Sequence, residues 1–104
     1  MIVYMVITAI LAGSALGDVT MDAIHQGYAL EIVVQACRDG NVSACHAAAL
    51  GRQNAATLVQ SMRNAVRDIQ QECLIDDTQN ECNALREIDH IAQRVLNRHH
   101  GFRT

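Results

Sequence analysis

Hydrophobic positions recur along this chain at intervals of three and four, the spacing that keeps side chains on one face of a helix. Met21, Ile24, Tyr28, Ile32 and Ala36 form one such stripe and predict a helix over about residues 19–37. Leu30, Val33 and Val34 widen it, so this helix touches more than one neighbour. A second stripe, Ala55, Leu58, Val59, Met62, Ala65, Val66, Ile69 and Cys73, predicts a long helix over about 44–74. Its other face carries Arg63, Asn64, Arg67, Asp68 and Gln71. Gly51 is a candidate interruption, and Gln53-Asn54 is the alternative position for a short loop. Leu85, Ile88, Ile91, Ala92, Val95 and His99 predict a third helix over about 79–99.

Polar residues punctuate these stripes. Arg38 to Ser43 reads as a turn, with Gly40 to end one helix and Ser43 to cap the next. Ile75 to Asn80 reads as a second turn, where Thr78 or Asn80 caps the third helix and Thr78 with Glu81 spells a capping box. Asp18 or Thr20 is placed to cap the first helix. Arg94, Arg98, His99 and His100 suit the negative end of the third helix dipole, and Gly101 its stop. The expected fold is all-α: an antiparallel three-helix array over residues 18–104, preceded by an apolar N-terminal helix.

That preceding segment, residues 1–17, carries no charged side chain, and Asp18 is the first charge. Ala15 and Gly17 stand where a signal peptidase prefers small residues, but no Lys or Arg precedes the apolar run. A cleaved export signal and a retained membrane anchor are both compatible with it. A buried core helix is the third reading.

Four cysteines follow, Cys37, Cys45, Cys73 and Cys82. An even number behind an export-like segment points to disulfides in an oxidising compartment. Each neighbouring pair flanks one predicted turn. On a continuous second helix Cys45 and Cys73 are separated by 28 positions, about 42 Å at 1.5 Å per residue. A disulfide needs Cα atoms within about 7 Å. Local bridges Cys37–Cys45 and Cys73–Cys82 are therefore predicted, each clamping a turn and contributing about 2–3 kcal/mol. A break at Gly51 would reopen pairing across the bundle.

The two junctions echo one another. Gln35, Ala36 and Cys37 precede the first turn; Gln71, Glu72 and Cys73 precede the second. The offset between them is 36 to 37 residues, in the range of helix-turn-helix repeats. Residues 36–45, followed by Ala48, Leu50 and Gly51, resemble a repeat junction of the cysteine-rich Sel-one-like proteins, exported relatives of tetratricopeptide repeats. The resemblance covers about a third of the chain. It implies pairing of Cys37 with Cys45 and, by analogy, of Cys73 with Cys82, and an interaction scaffold without catalysis. The chain departs from that pattern at Asn54 to Thr57, where a glycine-rich loop belongs, and in its second turn, which is longer and lacks glycine.

Charge and composition remove other classes. The net charge is −3 and all eight basic residues are Arg, so no lysine-rich surface exists to neutralise phosphates, and nucleic acid is set aside. No closely spaced cysteine pair offers a metal site; Cys45-His46 point apart on a helix, and His99-His100 form a tail pair. No cofactor is expected. No nucleophile elbow, phosphate loop or paired-acid motif argues for an enzyme, and paired cysteines leave no thiol to act as nucleophile. The wide apolar face of the first helix (Ile24, Tyr28, Leu30, Val33, Val34) reads first as core and alternatively as a partner face. The functional expectation is a non-catalytic protein-binding protein, exported or membrane-tethered. One version is an accessory subunit of a membrane-associated complex. Alternatives are a soluble periplasmic or secreted inhibitor, immunity or lysis-control protein, and a ligand- or cofactor-binding bundle.

Overall fold

The computed structural model describes residues 16–100, and every regular element among them is a helix. In chain order these are α1 (Asp18–His25), α2 (Ala29–Arg38), α3 (Val42–Gln53), α4 (Ala55–Ile75) and α5 (Asn80–His100). The apolar segment predicted over residues 1–17 lies, apart from Leu16 and Gly17, outside the described residues. So do Gly101 and the tail.

Among the described residues five helices stand where three were expected, because two predicted helices are each divided. The first breaks at Gly27, whose φ of 92° is left-handed. Gly27 N–H donates to the Ile24 carbonyl and Tyr28 N–H to the Ala23 carbonyl, both at 3.0 Å. This is the paired 5→2 and 6→1 closure of a glycine-ended helix. Hydrophobic spacing runs on through the break, which is why periodicity alone reads α1 and α2 as one helix.

The second predicted helix divides at Asn54 and not at Gly51. Asn54 is extended (φ −151°, ψ 96°), and its side chain accepts from Thr57 N–H at 3.2 Å. Its own N–H donates to the Leu50 carbonyl at 2.8 Å. One residue thus closes α3 and caps α4. Gly51 stays helical and is buried. A Cβ there would clash with Leu58 Cδ2 and sit 3.0 Å from Leu30 Cδ1. The glycine lets α3 approach α2 and α4 closely.

The core is built largely from small and branched side chains. Ala23, Ala29, Ile32, Ala36, Ala48, Leu58, Ala92 and Val95 are almost fully buried. α2 sits at its centre and packs against α3, α4 and α5, while α1 packs against α4 and α5. α5 fulfils its predicted stripe as far as Val95: Leu85, Ile91, Ala92 and Val95 are buried and Ile88 is half-buried against the core, while His99 is exposed. α4 fulfils its stripe only in part. Leu58 and Val66 are buried, Val59 and Met62 half-buried, and Ala55 and Ala65 exposed. Among the described residues no helix is long and apolar enough to cross a membrane.

Candidate functional site

The first turn is fixed by backbone, side chain and sulfur together. α2 ends on Gly40 (φ 103°), with Gly40 N–H donating to the Cys37 carbonyl and Asn41 N–H to the Ala36 carbonyl. The Asn41 side chain then caps α3 by accepting from Ala44 N–H at 3.0 Å. The cap was expected at Ser43; it falls two residues earlier, and Ser43 lies within the first helical turn. Cys37 and Cys45 are disulfide-bonded across this turn, their Cα atoms 4.6 Å apart.

The second turn has no glycine and is held differently. Asp76 accepts from both Thr78 N–H (3.0 Å) and the Thr78 hydroxyl (2.6 Å). These bonds favour the ionised form and hold the Asp76 carboxyl below its usual range. The Thr78 hydroxyl is consequently turned to Asp76, and the expected capping box with Glu81 does not form. α5 starts instead on the Gln79 carbonyl, which accepts from Cys82 and Asn83 N–H. Cys73 and Cys82 are disulfide-bonded with Cα atoms 5.7 Å apart, and Cys82 is fully buried. Beside them the chain presents two large apolar side chains to solvent, Leu74 at 62% and Ile75 at 89% exposure. Exposed carboxylates lie close to them in sequence: Glu72, Asp76, Asp77 and Glu81.

A third joint fixes the start of the described chain. Neither Asp18 nor Thr20 caps α1; Gly17 is the capping residue and makes no side-chain bond. The acceptor comes from α5, 72 residues on. Asp89 receives Gly17 N–H (2.5 Å), Thr20 N–H (3.2 Å) and the hydroxyl of the fully buried Thr20. From α4, Gln70 Nε2 donates to the Leu16 carbonyl at 2.9 Å and to Asp18 at 3.3 Å. This joint therefore ties α1 to both α4 and α5. It was not anticipated, although an acid between Ile88 and Ile91 on an apolar stripe is the signal that could have located it.

The five residues considered as a partner face are placed against the core. Ile24 and Val33 are buried, and Tyr28, Leu30 and Val34 are half-buried and packed on the core. The end of α5 closes this edge. His99 stacks on Tyr28, ring centroids 4.4 Å apart, and its Nε2 lies 2.7 Å from Glu31. Arg98 donates to the same carboxylate at 3.1 Å, and His100 meets Gln26 at 2.8 Å. The tail histidines thus each have a protein partner. Among the described residues no group of three or more His, Cys, Asp or Glu could hold a metal ion. An open cleft of about 600 Å³ lies between the first turn and α5, floored by Ala36 and Ile91 and crossed by the Arg94–Asp39 ion pair at 3.3 Å.

No known protein family, curated protein or solved structure matches the chain.

Proposed function

We propose that this chain is a non-catalytic binding protein of an oxidising compartment, tethered to a membrane through its apolar N-terminal segment and serving as an accessory subunit of a membrane-associated complex. The observation that carries the reading is the use of all four cysteines as crosslinks of helical turns, with none left free. Such bridges persist where thiols are oxidised, and they give a small helical chain the rigidity its modest core cannot supply. The finer architecture belongs to the same proposal: each bridge folds one helix back antiparallel to the next, in the manner of the cysteine-rich Sel-one-like junction that residues 36–45 resemble.

Retention of the N-terminal segment is favoured over cleavage by the joint at Asp89. Cleavage before Asp18 would remove both the Gly17 N–H bond to Asp89 and the Leu16 carbonyl bond to Gln70. The soluble inhibitor reading requires that loss. N-terminal sequencing of the native protein from separated membrane and soluble fractions tests the proposal. A membrane-bound chain retaining Leu16 and Gly17 is expected; a soluble chain beginning at Asp18 contradicts it. Native capture followed by mass spectrometry then identifies the partner.

A further inference from the structure

The point at which the apolar N-terminal segment joins the folded domain coincides with the part of α4 that leads to two exposed large apolar residues, Leu74 and Ile75. Gln70 holds the Leu16 carbonyl, and a Cβ on Gly17 would lie 3.0 Å from both Val66 Cγ1 and Gln70 Nε2. Val66, Gln70 and Leu74 follow one another at four-residue spacing, so they share one ridge of α4. Leu74 is one turn beyond the junction, and Ile75 about 7 Å beyond it along the helix axis. Both side chains face solvent, at 62% and 89% exposure. They are not on a fraying end, because Cys73 beside them is bonded to the fully buried Cys82.

We infer that Leu74 and Ile75 form a membrane-contacting tip that seats in the interface of the bilayer entered by residues 1–15. The inference rests on the tethered reading above. Sixteen residues without a charged side chain end at Leu16, so a tether of that kind holds the Gln70–Ile75 end of the domain at the lipid surface and makes the second contact nearly intramolecular. Apolar side chains at that depth exchange water for acyl chain. The charge around the tip selects the surface. The exposed Glu72, Asp76 and Asp77 flank it in sequence and Glu81 follows in the first turn of α5, while Arg86 is held by Asn83 and the Asp77 carbonyl. Anionic headgroups repel these carboxylates, so the tip fits a zwitterionic bilayer.

The chain has no tryptophan, so a single introduced one is a unique reporter. Full-length Ile75→Trp is reconstituted into phosphatidylcholine vesicles with and without brominated acyl chains. Val42→Trp, also exposed at 69% but at the first turn, carries the same interfacial preference of tryptophan and serves as control. Brominated lipid is expected to quench Ile75→Trp by about half or more and to leave Val42→Trp nearly unchanged. Replacing phosphatidylcholine by phosphatidylglycerol is expected to weaken the quenching. Equal quenching at the two positions, or none at Ile75→Trp in a chain that floats with the vesicles, overturns the tip while leaving the tether standing. A chain that does not float with vesicles overturns both.

Discussion

Asp89 accepts three hydrogen bonds at the start of α1, one of them from a hydroxyl with no access to water. Removing that acceptor leaves buried donors unsatisfied, which costs about 1–3 kcal/mol. Asp89→Ala is expected to lower unfolding free energy by that amount in a urea titration, and Asp89→Asn by less, because the amide oxygen still accepts. Gly51 offers a test in the opposite chemical sense. Gly51→Ala gains about 1 kcal/mol of helix propensity. It also forces a methyl against Leu58 and Leu30, and overpacking of this kind costs about 1–3 kcal/mol. The expected net effect is a destabilisation of about 1 kcal/mol in the same measurement. At Asp76 the readout is a pKa. Two bonds from Thr78 depress it in the folded state, so the stability they add is present above the unfolded Asp value of about 3.8 and is lost as pH falls through the lower folded value. Carbon-detected NMR titration should find Asp76 ionising below ordinary aspartates, and Thr78→Val should move it back up.

The helices differ in how they are ended, and this determines what each disulfide must hold. The first turn has a left-handed glycine, two closing backbone bonds and an Asn41 cap besides its bridge. The second has neither a glycine nor a side-chain cap on α5, and its side-chain order within the turn comes from the bonds Asp76 accepts from Thr78. Each bridge closes a loop of eight or nine residues, for which loop entropy gives about 2–3 kcal/mol. Replacing either cysteine pair by alanine should cost about that much globally. Hydrogen exchange should separate them: amides of residues 74–82 are expected to lose protection in the Cys73→Ala/Cys82→Ala protein, while residues 38–44 stay protected in the Cys37→Ala/Cys45→Ala protein.

The same differences explain what could be read from residues alone. Helix content, the stripe on α5 and the two turns follow from three-and-four spacing and turn chemistry. The breaks at Gly27 and Asn54 were harder. Hydrophobic spacing continues across Gly27, and Gly51, the more conspicuous glycine, is kept helical by a close approach that only tertiary packing creates. The partner face was legible as apolar, but whether it is core depends on α5 returning to cover it. Asp89 escaped because its role depends on α1 packing beside it, and Leu74 and Ile75 because their exposure depends on which side chains the other helices leave uncovered.

At the scale of the molecule, α2 is surrounded by α3, α4 and α5, and α1 is locked onto α4 and α5 by one carboxylate and one glutamine. Alanine and glycine let the helices approach closely, so the contact area each contributes is small, and two covalent crosslinks and the Asp89 joint reinforce a core of limited size. The central claim is that each crosslink closes its own turn. Tryptic digestion without reductant tests it directly, because Arg38 lies inside the first loop whereas no Arg lies between Cys73 and Cys82. The peptide ending at Arg38 should be recovered covalently joined to residues 39–52, and residues 68–86 should run alone, lighter by two hydrogens than after reduction. Residues 68–86 found joined to either of the other two peptides, or all four cysteines alkylated before reduction, would contradict it.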